Sequence, residues 1–411
     1  MTQSQDKNAF DNLGIVPQLL AVLKRKAIAT PTPIQHQSIP ITIKGKDIMG
    51  IAQTGTGKTL AFGLPLVQRL NESAGRALVL LPTRELALQV EETLNALGRA
   101  FNMRTAVLIG GESMYRQIQE LRRHPRIIVA TPGRLLDHLE QRQVQLNDIR
   151  ILVLDEADRM LDMGFAPQLT RILKTVPRER QTMLFSATMP QEIVKLATTY
   201  MAQPVRVEVA PAGTTADVEQ EIFIVRHEVK LLLLEKLLEE YAGTMLVFSR
   251  TKHGAKKITR VLRAMGHGAA EIHANRSQAQ RREALDGFKS GKYRILVATD
   301  IAARGIDVSD IAVVINFDLP DNSGDYVHRI GRTGRAGKKG RAISFATPHQ
   351  KNEIRTIERL IRKTLPVSKL PELPAGRAVP LAAEMQAEPA PRRHRPSQRP
   401  QQKSSGYGRR R

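Results

Sequence analysis

The 411-residue chain contains no cysteine and no tryptophan. The first absence excludes disulfides, thiolate metal sites and a cysteine nucleophile, and it suits a reducing compartment. Aromatic residues make up only 4%. That is too few for an array of base-stacking side chains, so a bound polyanion is expected to be held by its backbone. Long hydrophobic runs are missing as well. Purely apolar blocks such as Leu231–Leu234 fall far short of the roughly 18 residues of a membrane span. Met1 to Asn12 is polar and has no apolar signal-peptide core. Acidic residues are outnumbered, 40 against 63 Lys+Arg, for a net charge of +23. Such a surplus favours a polyanion, with a solubility charge or anionic lipid as the alternatives.

What is present points to two cores and a tail, given the length and a hydrophobic fraction of 41%. Residues 77–81, 105–109, 126–130, 150–154 and 181–185 read as buried strands, with helices over 84–101, 113–123 and 135–141. The pattern repeats with strands at 244–248, 294–298, 312–317 and 341–346 and helices at 255–265 and 277–289. Near-continuous apolar strands separated by helices imply parallel sheets covered on both faces. The expected class is α/β, with two doubly wound domains. The small, apolar-poor stretch 210–217 reads as a linker between domains at 1–209 and 218–372. Residues 373–411 carry nine Lys+Arg and two Glu, and their Pro, Gln, Ser and Gly content predicts a disordered basic tail.

Two segments carry phosphate chemistry. Ala52-Gln53-Thr54-Gly55-Thr56-Gly57-Lys58-Thr59 departs from the general phosphate loop at its first glycine. It keeps the tight turn, the phosphate-binding Lys58 and the Mg²⁺-binding hydroxyl of Thr59. Asp155 and Glu156, in Asp155-Glu156-Ala157-Asp158, close the apolar run 151–154, which puts them at the ligand-binding edge of a parallel sheet. Asp155 is expected to hold Mg²⁺ and Glu156 to accept a proton from the attacking water. Alone, each segment also reads as a glycine turn or an acidic helix start; together they do not. Arg329, Arg332 and Arg335 lie in His328-Arg329-Ile330-Gly331-Arg332-Thr333-Gly334-Arg335. A helix there would put Arg332 and Arg335 on one face, where they would stabilise transferring-phosphoryl charge, an effect worth about 10³–10⁵ in rate. The bland reading is a solvated basic helix.

These segments, in this order, together with Phe10, Pro31-Thr32-Pro33-Ile34-Gln35, Pro82-Thr83-Arg84-Glu85-Leu86-Ala87, Gly110-Gly111, Thr131-Pro132-Gly133-Arg134-Leu135, Ser186-Ala187-Thr188, 246–251 and 298–307, resemble the DEAD-box RNA helicases of superfamily 2. The resemblance spans about residues 10–373, and the compact core with a short basic tail looks most like the bacterial RhlE-type members. It implies two tandem RecA-like domains, ATP and Mg²⁺. Phe10, Ile28, Gln35, Thr54–Thr59 and Asp307 would bind the nucleotide, with Gln35 reading adenine. Asp158, Ser186, Thr188 and His328 would couple the domains, His328 by bonding toward Asp158 or Thr188. One departure is Ala27-Ile28, where the family often has Gly-aromatic; Ile28 offers the purine apolar contact without stacking.

The resemblance also implies an RNA track of phosphate and 2′-hydroxyl contacts: Thr83, Arg84, Gly111, Thr131, Gly133 and Arg134 in the first domain, and Arg250, Gln278, Arg281, Thr299 and Gly305 in the second. ATP hydrolysis would drive closure on RNA, local non-processive unwinding and release. An ATP-gated RNA clamp or annealing chaperone is the alternative output, and a DNA translocase is a weaker rival. Ribosomal-precursor or RNA-decay complexes are compatible partners. The expected setting is a monomeric core in the cytoplasm, with no membrane.

Overall fold

The computed structural model describes residues 9–53, 55–209, 218–300, 311–334 and 340–373. Helices α1 (Pro17–Arg25) and α2 (Pro33–Ile43) precede strand β1 (Ile48–Ile51). Then come α3 (Lys58–Glu72), β2 (Arg76–Leu80), α4 (Arg84–Gly98), β3 (Thr105–Leu108), α5 (Met114–Leu121), β4 (Ile127–Ala130) and α6 (Pro132–Glu140). β5 (Ile149–Leu154), α7 (Ala157–Asp162), α8 (Ala166–Thr175), β6 (Gln181–Ser186), α9 (Gln191–Tyr200) and β7 (Val205–Glu208) follow. These strands form one sheet in the order β3-β4-β2-β5-β6-β1-β7, with every pairing parallel.

The second half contributes β8 (Val218–Ile224), α10 (Lys230–Glu240), β9 (Met245–Phe248), α11 (Lys252–Ala264), β10 (Ala269–Ile272), α12 (Gln278–Lys289) and β11 (Ile295–Ala298). It continues with β12 (Val313–Asn316), α13 (Ser323–Ile330), β13 (Gly340–Ala346) and α14 (Lys351–Ile361). The second sheet runs β10-β11-β9-β12-β13-β8, again all parallel. Two parallel-sheet α/β units of RecA-like type are therefore present.

The apolar strands are continuous because both faces of each sheet are covered. In β4, Ile127 and Val129 join one core cluster while Ile128 and Ala130 join the other. In β5, Ile151 and Val153 face the first cluster and Leu152 and Leu154 the second. Each fully buried Leu or Ile contributes on the order of 1.5–3 kcal/mol relative to exposure. Sheets of this kind bind ligands at the carboxyl ends of the strands, where the chain turns toward the next helix. The expected linker 210–217 and the expected tail, from residue 374 on, lie outside the described residues.

Candidate active site and nucleic-acid interface

Strands β5, β6 and β1 are neighbours, so three distant segments meet at their carboxyl ends. After β1 the chain turns through Gly55 at φ 85° and Gly57 at φ 88°, conformations that glycine adopts without steric cost. The Thr56 hydroxyl donates to the Gln53 carbonyl at 2.7 Å. Gly57 caps α3, and Lys58 is that helix's first residue. Lys58 is only 5% exposed, and its Nζ has no hydrogen-bond partner. The nearest counter-charge is Asp155 Oδ1, 3.9 Å away. Burial, opposed by Lys58, pushes the Asp155 carboxyl up to about 6.

A buried ammonium without an acceptor, a carboxyl displaced by desolvation and the amino end of a 15-residue helix fit a triphosphate carrying a divalent cation. Thr59 follows Lys58 on α3. Among the described residues no group of three or more His, Cys, Asp or Glu could hold a metal ion.

Gln35 is buried and uses both ends of its amide. Its Oε1 accepts from the Thr32 N–H at 2.9 Å, and its Nε2 donates to the Gly57 carbonyl at 2.9 Å. A Cβ on Gly57 would run into Gln35 Nε2. Gln35 therefore latches α2 onto the phosphate loop while retaining one donor and one acceptor site. Ile28 packs at the edge of the first core. Phe10 differs from the expectation: its ring is 0% exposed inside that core. It has no surface for a ligand and acts by packing.

Glu156 occupies the left-handed region at φ 52°, which turns the chain between β5 and α7. Its Oε2 accepts from Arg159 Nη1 at 2.5 Å, with both side chains buried. Asp158 Oδ2 accepts from the Ala187 N–H at 3.1 Å, the Thr188 N–H at 2.8 Å and the Thr188 hydroxyl at 2.9 Å. The Asp158 N–H donates to Ser186 Oγ at 3.3 Å, and that hydroxyl donates to the Thr188 carbonyl at 2.7 Å. The structure thus gathers Asp158, Ser186 and Thr188 into one cluster. His328 lies in a narrow seam between the halves, with Arg159 on one side and Phe248, Asp300, Asp325, Arg329 and Arg332 on the other.

The arginine set needs correction. Helix α13 ends at Ile330 with Gly331 as its cap, so Arg332 lies in the turn beyond it and the helical-face argument fails. Glycines at 331 and 334 favour such a turn over a continued helix. Arg329 is a buried anchor. Its Nε and Nη2 meet the two Asp300 oxygens at 2.6 Å each, and its Nη1 donates to the Asp318 carbonyl at 2.6 Å. Its guanidinium also lies 4.9 Å from the centre of the Phe248 ring. Thr54, Gly305, Asp307 and Arg335 lie outside the described residues.

The RNA candidates of the first half converge at the ends of β3, β4 and β2, three adjacent strands. Thr83 caps α4 by accepting from the Leu86 N–H at 3.3 Å. The Arg84 guanidinium packs directly over Gly110 and Gly111, where a Cβ on Gly111 would strike it. Arg134 Nη1 donates to the Glu112 carbonyl at 3.1 Å. Thr131 occupies the cap position of α6, which starts earlier than expected because Pro132 fits the first helical turn. A Cβ on Gly133 would meet nothing within 4 Å, so packing within the chain does not require glycine there.

In the second half Arg250, Gln278 and Thr299 follow β9, β10 and β11, again adjacent strands. Two of the arginines already have carboxylate partners: Arg250 Nε lies 3.1 Å from Asp321, and Arg281 Nη2 lies 2.9 Å from Glu85 on α4. The second pair ties the halves together beside the RNA candidates. The sequence alone did not assign Glu85 and Arg159 these partners: Glu156 precedes α7 in a left-handed turn, so helical spacing does not announce its pairing with Arg159.

A DEAD/DEAH box helicase family model matches residues 32–196, and a helicase conserved C-terminal domain model matches residues 229–337. An ATP-dependent rRNA helicase RRP3 of Debaryomyces hansenii is 44% identical over 368 residues, covering 88% of this chain and 77% of that protein. The DEAD-box ATP-dependent RNA helicase CshA of Geobacillus kaustophilus is 44% identical, covering 89% and 79%. Among solved structures, S. cerevisiae Dbp5 bound to RNA and ADP BeF3 superposes with a TM-score of 0.78 at 29% identity, covering 88% and 95%. Mss116p bound to ssRNA and AMP-PNP superposes with 0.81 at 26% identity, covering 88% and 79%. The chain belongs to the DEAD-box ATP-dependent RNA helicases, enzymes that hydrolyse ATP.

Proposed function

We propose that ATP binds between the two halves, RNA lies across both, and each ligand favours the closed arrangement. The observation that carries this reading is the cluster at the ends of β5, β6 and β1. There the unbonded Lys58 Nζ, Asp155 and Glu156 lie together, with Gln35 latched to the loop that precedes Lys58. Gly55, Thr56 and Gly57 cradle phosphates through backbone N–H groups, Lys58 binds the β/γ-phosphates, and Gln35 reads adenine. Asp155 and Thr59 would hold Mg²⁺, which would supply charge neutralisation to the phosphates. Arg159 occupies Oε2 of Glu156, leaving Oε1 to take the proton of the attacking water. Arg332 and Arg335 bring positive charge from the second half, and Asp307 contacts the ribose.

Arg84, Gly111, Thr131, Gly133 and Arg134 face the RNA backbone together with Arg250, Gln278, Thr299 and Gly305. Arg281 contributes to this surface while holding Glu85. A closed track that accepts only a bent single strand expels the complementary strand, giving local, non-processive opening. The domains run over residues 1–209 and 218–372, joined by 210–217. The tail 373–411 tethers RNA electrostatically. An RhlE-type assignment is part of the same proposal, and the bacterial CshA relatives support a cytoplasmic setting. The rRNA helicase relatives support ribosome assembly as the setting.

Short RNA duplexes incubated with ATP or with a non-hydrolysable analogue test the output. Repeated strand separation with ATP alone is expected. Equal steady-state separation with the analogue would favour an ATP-gated clamp.

A further inference from the structure

Arg159 follows the Asp155–Asp158 tetrapeptide and is only 1% exposed. Its Nη1 holds Glu156 Oε2, but its Nε and Nη2 are buried without a hydrogen-bond partner. An unmet buried donor is costly, and more so when it is charged. Such a side chain calls for acceptors that reach it in another arrangement of the molecule. The seam it lines supplies them: Asp300 and Asp325 of the second half stand there with Phe248, His328, Arg329 and Arg332. Both Asp300 oxygens already accept from the Arg329 fork at 2.6 Å. Asp325, buried and with a partner of its own, lies one helical turn before Arg329 on α13, and a carboxylate offers about four acceptor sites, enough for further donors.

We propose that Arg159 is a positioning residue linking the general base to the second half, with Nη1 on Glu156 and Nε and Nη2 turned toward Asp325. When the halves seat for turnover, the Asp325 carboxylate fixes the guanidinium plane, and that plane fixes the Glu156 carboxylate facing the water. When they part, Arg159 keeps only its contact to Glu156, and the base loses its register. Bidentate geometry makes arginine suited to this role, because its planar fork transmits orientation where an ammonium transmits only charge. The competing reading is that Arg159 merely fastens α7 to β5. The inference rests on Glu156 being the base.

The test measures steady-state RNA-stimulated ATP hydrolysis by the full chain carrying Arg159→Ala, Arg159→Lys, Glu156→Gln, and Arg159→Ala with Glu156→Gln. Binding of a fluorescent ATP analogue and of single-stranded RNA is measured alongside. Arg159→Ala is expected to lower kcat by about 10²-fold, with ATP and RNA affinity changed less than about threefold. Arg159→Lys restores part of that loss. In the Glu156→Gln background, Arg159→Ala costs nothing further, since residues acting as a unit are not additive. Should the alanine variant fail to fold, Arg159→Lys is compared in the two backgrounds instead, with the same non-additivity expected. Additive losses, or a loss in affinity matching that in kcat, would overturn the inference. Normal turnover by Glu156→Gln would instead overturn the reading of the site, whereas a slow Glu156→Gln with a normal Arg159→Ala overturns this inference alone.

Discussion

Replacing Asp158 by asparagine keeps the shape and removes the charge. Asp158 Oδ2 accepts three bonds, from the Ala187 and Thr188 N–H groups and the Thr188 hydroxyl, and Oδ1 accepts from the Arg159 N–H at 3.0 Å. An asparagine amide can put its oxygen on only one side. The cheaper choice faces the three donors and turns the NH₂ toward the Arg159 N–H. Three charge-assisted bonds then become neutral, at about 1 kcal/mol each, and a buried N–H loses its acceptor at about 1–3 kcal/mol. Allowing for non-additivity, the local loss is about 3–5 kcal/mol. Amide hydrogen exchange reads this directly, since local opening carries its own free energy. Protection at Ala187 and Thr188 is expected to fall by about a hundredfold to a few thousandfold, with strand separation lost before ATP-analogue binding. A change below about threefold would refute the assignment of this cluster as the fastener between α7 and the segment after β6.

Gly133→Ala is expected to leave the thermal midpoint unchanged or raise it by up to about 4 °C, because the added methyl meets no neighbour and glycine's backbone entropy no longer opposes the helix, while RNA affinity in filter binding falls severalfold. Unchanged affinity would remove Gly133 from the RNA track. Ala27, two residues past the end of α1, has φ 54°, a conformation costing about 1–2 kcal/mol for a residue with a Cβ. Ala27→Gly should therefore gain about 0.5–1 kcal/mol net of glycine's backbone entropy, read as a midpoint rise of about 1–4 °C. Deleting 373–411, which removes a net +7, should weaken RNA binding and flatten its dependence on salt. An unchanged salt slope would leave the tail a solubilising role only.

The inner strands of the first sheet were legible because buried parallel strands are continuous in Val, Ile and Leu. β8 and β7 escaped notice for the opposite reason. They are edge strands; charged residues alternate through Val205–Glu208, and Glu219-Gln220-Glu221 interrupt Val218–Ile224. α2 was missed because its apolar residues surround it without a clear stripe, and Pro40 sits inside it. The spacing of three between Arg332 and Arg335 misled because it presumed a helix that two glycines end. Phe10 misled because an aromatic near a nucleotide site serves equally well as a wall of the core. The Glu85–Arg281 pair joins residues nearly 200 positions apart, and no local pattern announces such a partner. Arg159 was passed over because its neighbours in the chain explained themselves.

The central claim is that ATP and RNA close one split site, so their binding is linked. Single-stranded RNA affinity measured with and without a saturating non-hydrolysable ATP analogue tests it most directly. The account predicts RNA binding tighter by at least about tenfold with the analogue, and analogue binding tightened by RNA to the same factor, as linkage requires. RNA affinity indifferent to the analogue would contradict it.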